Sequence, residues 1–370
     1  MIYLLCPDKF RGSLTVEQVC QYLSEGILSV NPDAQILHCP MADGGEGSLE
    51  ILKNYLSIEI VNIETSDPLG RRIMVPVGIS QQVCYIETAR VIGLNLLQPE
   101  ERNPLNTTTK GLGQLILRLI DDGFMEFHLF LGGSATNDAG IGMAAALGYQ
   151  FFDLKGNEIE ADTRHLSKVG KVIIQDRKSE HLKFKVYADV SHVMYGPQGA
   201  SRGFGRQKGA DTQQIAMLDA GIKNVASILA KDMHRDVAQI PGSGAAGALA
   251  GGCMAFLNAE NASGVDFFIQ ITELEEKIRK ADIVITGEGQ LDESSFNGKV
   301  ISKVRAICNN YHKKWYIVTG QNALKIQSLA KESDFEVITL LQYAQDVRRS
   351  MENAGLYLKM AAKEIALKER

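Results

Sequence analysis

The chain has 370 residues, with 39 Lys and Arg against 44 Asp and Glu, a net charge of −5, 45% hydrophobic residues and 22% charged ones. That length allows two ordinary domains, and the composition is that of a soluble globular protein. A pI near 5.9, with no basic run, tells against nucleic acid or an anionic membrane surface as partner, yet leaves room for small anionic substrates met by local cations. Cys6, Cys20, Cys39, Cys84, Cys253 and Cys308 form no C-x-x-C pair, and the seven histidines are scattered, so neither a zinc site nor a disulfide framework is expected. The apolar opening, Ile2 to Cys6, is too short for a signal peptide, and 247–257 is too short to span a bilayer. A cytoplasmic protein with reduced thiols is expected.

MIYLLC (1–6) reads as a buried first strand, and 15–30 has apolar positions at helical spacing. The loop between them sets Asp8, Lys9, Arg11 and Ser13 at the carboxyl end of a strand, the usual ligand edge of an open parallel sheet. A solvated loop with Ser13 or Thr15 capping the helix is the plainer alternative. A second strand, 34–42, runs into Asp43, Gly44, Gly45 and Glu46, ahead of a helix at 48–56. Glycines there let the backbone approach a ligand, and the acids suit a metal or a substrate hydroxyl. A third strand, 57–65, precedes Asp67-Pro68-Leu69-Gly70-Arg71, which we take as the first domain boundary; 72–80 and 82–89 then read as an antiparallel pair. Arg90 follows, and then Thr107, Thr108 and Thr109, which either line a site or cap the helix at 113–123.

The chain is organised around LGGSATNDAG (131–140), which follows an apolar strand (126–132) and precedes a small-residue helix. A strand–turn–helix of this kind points unpaired N–H groups outward, where an anion can be held, although Ser, Thr, Asn and Asp are also the ordinary helix caps. A ribbon-like region (149–185) leads to a strand delivering Asp189. The glycine-rich segment 196–210 then carries Arg202, Arg206 and Lys208, cations suited to a phosphate-facing loop or to solvent. GSGAAG (242–247) matches G-x-G-x-x-G but lacks the preceding strand and the following acid-bearing strand of a dinucleotide site, so it is read as a closely packed helix. The C-terminal third alternates strand and helix: a strand ending in a Gly-acid-Gly loop with Glu288 and Asp292, a helix at 299–311, a strand at 314–320, a helix, a strand at 335–340 and a closing helix. The pattern predicts an α/β protein of two α/β domains. One is discontinuous and Rossmann-like (1–66 plus 285–370), the other is a central insert (67–284), and the active site is expected in the cleft between them.

Carboxylates, hydroxyls and cations on glycine-rich turns at five strand ends are the ingredients of phosphoryl transfer. The chain nevertheless has no G-x-x-x-x-G-K-[ST], no protein-kinase motif set and no G-x-S-x-G elbow. PDKFRGSL (7–14), MADGGEGS (41–48), DPLGR (67–71), LGGSATNDAG (131–140), QKGA (207–210) and ITGEGQLD (285–292), in that order, resemble the signature segments of bacterial class I glycerate kinases. The resemblance implies ATP-dependent, Mg²⁺-assisted phosphorylation of D-glycerate, most simply at the 2-hydroxyl. Lys9, Ile92 and Arg206 depart from the family's usual residues and bear on the choice of acceptor.

On that footing Lys9 or Arg11 holds the substrate carboxylate, with Ser13, Asp43, Gly44, Gly45 and Glu46 completing the substrate site. Gly132, Gly133, Ser134, Thr136, Asn137, Arg206 and Lys208 face ATP phosphates. Asp43, Asp189 and Glu288 are metal candidates, while Asp189, favoured as base, and Asp292 join Lys9 and Arg11 in catalysis. The alternatives are a 3-phosphoglycerate-forming kinase, a kinase for a related hydroxyacid, a non-catalytic sugar-acid sensor and, on GSGAAG alone, an NAD-linked dehydrogenase.

Overall fold

The computed structural model describes residues 1–175, 179, 181–296, 298–323 and 335–370. The chain divides into two compact α/β units, a discontinuous one (Met1–Asp43 with Val265–Arg370) and an inserted one (Gly44–Gly264). The helix expected ahead of the strand at 335 falls on 324–334, outside the described residues. Among the described residues no helix is long and apolar enough to cross a membrane.

Strands β1 (Ile2–Leu5) and β2 (Gln35–His38) open the first unit. The second unit holds β3 (Glu59–Ser66), β4 (Arg72–Ser80), β5 (Val83–Glu87), β6 (Glu126–Phe130), β7 (Tyr149–Phe152), β8 (Glu158–Ile159), β9 (Lys171–Ile174), β10 (Lys183–Tyr187) and β11 (Glu260–Ala262). The chain then returns to the first unit with β12 (Ile283–Leu291), β13 (Lys314–Asn322) and β14 (Phe335–Thr339).

In the first unit the sheet runs β14-β13-β12-β1-β2 and is parallel throughout. A parallel sheet is covered on both faces, which is why its strands are apolar along their length; Tyr3, Leu4 and Leu5 are fully buried. The strand order reverses between β1 and β12, and such a switch point opens a crevice at the carboxyl ends of the two strands. Helix Val16–Leu28 starts at a capping box in which Thr15 and Gln18 exchange side-chain and backbone bonds. Its Leu23 and Ile27 share a core with Leu358 and Ile365 of the terminal helix.

The larger sheet of the second unit runs β11-β10-β6-β5-β4-β3, parallel from β11 to β5 and antiparallel at β4 and β3. Helix Lys110–Asp121 buries Leu112, Leu115, Ile116 and Leu119 in one cluster with Ile86, Phe127 and Leu129 of the sheet. The ribbon expected at 149–185 is a small antiparallel sheet, β8-β7-β9. The pair read at 72–80 and 82–89 is β4 with β5. The strand at 57–65 goes elsewhere than expected. It is β3, paired antiparallel with β4 from Glu59↔Ile79 to Ser66↔Arg72, so the Asp67–Arg71 segment is a hairpin turn inside the second unit. Asp67 fixes that turn by accepting from the backbone N–H groups of Leu69 and Arg71, at 2.9 Å each, and from Arg71 Nε. The chain therefore crosses between units at 43–44 and 264–265, not at 66–67 and 284–285.

GSGAAG leads into helix Ala245–Phe256, which is kinked where Ala246, Gly247 and Ala248 take positive φ. A Cβ on Gly247 would lie 2.1 Å from the Thr136 carbonyl oxygen, and the Gly247 carbonyl accepts the Ala139 N–H at 3.1 Å. The small residues thus seat the helix directly beneath loop 132–138, and 236–241 forms no strand ahead of it. This is the close packing read from the sequence.

Candidate active site

The first unit gathers its chemistry where β1 and β12 part. Thr286 Oγ1 donates to the Cys6 carbonyl, Asp8 N–H to the Gly287 carbonyl, and Met41 N–H to the Pro7 carbonyl. These bonds tie the loops after β1, β2 and β12 to one another. Asp8, Lys9, Arg11, Asp43, Glu288, Asp292 and Lys299 consequently line one cleft of about 460 Å³. Lys9 N–H donates to Asp8 Oδ1 at 2.7 Å. Burial, and then the neighbouring Asp43 and Glu288 carboxylates, push the Asp8 carboxyl up to about 7 despite Lys9 beside it. Burial likewise raises Glu288, with Asp292 and Asp43 adding to it and the Ser295 hydroxyl and Lys299 opposing. Ser13 also lines the cleft, but its hydroxyl donates to the Met351 carbonyl at 2.8 Å, so it anchors helix Val347–Glu352 to the first loop.

These carboxylates suit a hard divalent cation. Glu288 Oε1 is buried with no hydrogen-bond partner among the described residues, and like charges around Asp8 leave a deficit of positive charge that Mg²⁺ would fill. Among the described residues no three such side chains stand at coordinating geometry. Mg²⁺ ordinarily takes one or two carboxylates and completes its shell with water and phosphate oxygens. The donors fit.

In the second unit the corresponding edge lies at the carboxyl ends of β5, β6, β10 and β11. Gly44, Gly45 and Glu46 belong here, and a Cβ on Gly132 would lie 3.2 Å from Gly45 Cα, so the two glycine loops touch. Ser48 Oγ donates to the Gly45 carbonyl at 2.7 Å, holding the turn ahead of helix Ser48–Tyr55. Buried Glu87 ends β5 and accepts from Leu49 N–H at 2.8 Å and from Arg90 Nε at 3.0 Å. Arg90 reaches on to Glu50 at 2.8 Å. Asp189, just past β10, accepts from Ser263 Oγ at 3.0 Å. Arg206 is exposed, while Arg202 pairs with Asp219.

Loop 132–138 corrects part of the reading from sequence. Ser134 is 4% exposed and Thr136 and Asn137 are 0% exposed, so their side chains turn inward. Only Gly132 and Gly133 reach the surface. Lys208, 2% exposed, approaches from behind, its Nζ donating to Ser134 Oγ at 3.0 Å and the Thr136 carbonyl at 2.6 Å. Asn137 Nδ2 donates to Ser201 Oγ at 2.8 Å. Ser134, Thr136, Asn137 and Lys208 therefore support the loop from within and do not line its outer face. Of the three threonines, Thr108 Oγ1 accepts from Lys110 N–H at 3.2 Å at the start of helix Lys110–Asp121, as a cap does, while Thr107 and Thr109 turn to the loop. Thr107 Oγ1 donates to the Ala135 carbonyl and Thr109 Oγ1 to Asp138 Oδ2, so they buttress the same loop.

Burial pushes the Lys208 ammonium down to about 7, with Asp138 opposing. Below that pH both the folded and the unfolded chain carry the proton, and the full cost of a buried ammonium is present. Between about 7 and the ordinary lysine value the unfolded chain holds the proton and the folded chain does not, so stability rises with pH by about 1.4 kcal/mol per unit. Urea unfolding of the wild-type protein and Lys208→Met at pH 7 and pH 9 checks this. The wild type is expected to gain about 2–3 kcal/mol more than the variant across that interval.

The sequence places Asp8 at a ligand edge and Asp138 in the organising loop without giving either a role, and it does not single out Glu87. Asp8 was visible at a strand end, but the carboxylates that perturb it come from loops distant in the chain. Asp138 accepts from Thr109 N–H, Thr109 Oγ1 and Gly140 N–H, a set that no local pattern announces.

Residues 3–368 match the sequence profile of the Glycerate kinase family. The chain is 38% identical to the glycerate 2-kinase of Escherichia coli K12 over 324 residues, covering 86% of this chain and 85% of that protein. It is 33% identical to a glycerate kinase of Halalkalibacterium halodurans, covering 98% and 97% of the two chains. A crystal structure from Salmonella typhimurium LT2, provisionally named glycerate kinase 2, superposes with a TM-score of 0.79 at 32% identity, covering 100% of this chain and 98% of that one. With a matching profile over nearly its whole length and relatives of that identity and coverage, the chain belongs to the glycerate kinase family.

Proposed function

We propose that this enzyme transfers the γ-phosphoryl group of ATP to the 2-hydroxyl of D-glycerate, giving 2-phospho-D-glycerate and ADP. The observation that carries the reading is the 38% identity to a glycerate 2-kinase over 86% of the chain. The cleft of acids and cations after β1, β2 and β12 supports it, because phosphoryl transfer is catalysed mainly by positioning and charge.

In this reaction the glycerate hydroxyl oxygen bonds to the γ-phosphorus, the bond from that phosphorus to the β–γ bridging oxygen breaks, and the hydroxyl proton leaves to a base. Asp189 is our choice of base, oriented by the Ser263 hydroxyl. Lys9 and Arg11 meet anionic oxygens of the substrates. Asp8, Asp43 and Glu288 would hold Mg²⁺, which when bound neutralises phosphate charge. Gly132 and Gly133 offer backbone to an anion, on a loop kept rigid by Lys208. The six unbonded, buried cysteines suit a reducing cytoplasm.

The test is ADP release with ATP, Mg²⁺ and D-glycerate, with L-glycerate, tartronate and no acceptor as controls and the product identified by NMR. Turnover dependent on D-glycerate with phosphorus on the C2 oxygen is expected. Phosphorus on C3 would replace the product with 3-phosphoglycerate. ATP binding without turnover would point to another hydroxyacid, with Lys9 and Ile92 examined first. Binding of acid but not of ATP would leave a sensor in place of a kinase.

A further inference from the structure

The cleft at the switch point of the first sheet has two unlike walls. One is charged, with Lys9 and Arg11 beside the acids described above. The other is apolar and comes from Leu340 and helix Val347–Glu352, whose Val347 and Met351 are 39% and 43% exposed. The Ser13 hydroxyl, bonded to the Met351 carbonyl, fixes that helix to the loop bearing the cations. A three-carbon acid would leave most of about 460 Å³ to water, and it offers nothing to cover Val347 and Met351. Cavities of some 300 Å³ and more, apolar on one side with a few convergent polar groups, suit larger ligands. In open parallel sheets the crevice at the switch point is the usual ligand site. Loop 132–138, in contrast, turns its hydroxyls inward, where Lys208 meets it from behind.

We propose that this cleft of the first unit receives the nucleotide, its base and ribose against Val347 and Met351 and its phosphates toward Lys9 and Arg11. This rests on the kinase reading above and reverses the assignment of ATP to loop 132–138. Gln321, at the end of β13 and also lining the cleft, provides an amide for the polar edge of the base.

Val347→Trp and Met351→Trp test it in the full-length protein. Both side chains are exposed, so the bulk enters the cleft without disturbing a core. Calorimetric titration with Mg²⁺ and AMP-PNP is expected to show affinity weakened about tenfold or more in each variant. The KM for D-glycerate is expected to stay within about twofold, since uniform loss of nucleotide binding does not act on the acceptor. Photolabelling of the wild-type protein with 8-azido-ATP is expected to mark peptides from 335–370. Unchanged nucleotide affinity in both variants, a KM effect confined to glycerate, or label on peptides around 126–150 would overturn the assignment. The titration and the label need no glycerate turnover, so a failed acceptor assay leaves this test intact.

Discussion

Asp189→Asn is expected to lower kcat by about 10²–10⁴-fold while nucleotide affinity stays within about twofold of wild type. The replacement keeps the size of the side chain and an oxygen for the Ser263 hydroxyl, which lies 3.0 Å away in the wild-type protein. It takes away the proposed acceptor for the proton that the attacking hydroxyl must lose. Single-turnover measurements with saturating ATP and D-glycerate separate this from a slower release of product. Ser263→Ala should cost less, about tenfold, because it loosens the carboxylate without removing it. Full activity in Asp189→Asn would take the residue out of the base's role, and attention would move to the acids of the first unit.

The second large effect runs in opposite directions in activity and stability. Asp8→Asn is expected to reduce kcat by about 10²-fold or more, through loss of a carboxylate that would help hold Mg²⁺. It is also expected to make the protein more stable at pH 8. The Asp8 carboxyl lies at about 7 in the folded chain, held up by burial and by Asp43 and Glu288. Between the ordinary aspartate value and about 7 the folded chain keeps a proton that the unfolded chain has given up, so stability falls as pH rises through that window. Above it the whole cost is present. An asparagine removes the cost, a gain of about 4 kcal/mol at pH 8 that should vanish near pH 4. Denaturant unfolding at the two pH values reads it directly. Added Mg²⁺ should stabilise the wild type and do much less for the variant. A variant less stable than wild type at pH 8 would show that the three carboxylates do not repel one another.

Much of this was readable from the chain. The apolar runs 1–6 and 126–132 are β1 and β6, and Thr15 with Gln18 forms the cap that opens the first helix. What the sequence left open was pairing and direction. The run at 57–65 is a strand either way, and only its register with β4 decides which unit it joins. Ser134, Thr136 and Asn137 have the residue types of a ligand loop and of a buried support alike. Which way they point is settled by Lys208 and the threonines, which arrive from distant parts of the chain. Asp8 poses the same difficulty, because the charges that define it belong to Asp43 and Glu288.

The discontinuity of the first unit fixes an order of events during synthesis. Its central strand β1 hydrogen-bonds to β12, so Leu4 has Val284 as its partner across nearly the whole chain. The inserted unit, contiguous from Gly44 to Gly264, can close its own core as soon as its last strand, β11, has left the ribosome. At ordinary elongation rates β1 and β2, counted from their own synthesis, wait on the order of tens of seconds for β12. Through that interval an apolar strand, Ile2 to Cys6, has at most β2 beside it and leaves bare the edge that β12 will take, the condition in which chains associate with one another or are held by chaperones. A message cut short before β12 would release a folded insert trailing an unpaired hydrophobic strand, and that product should be recovered in aggregates.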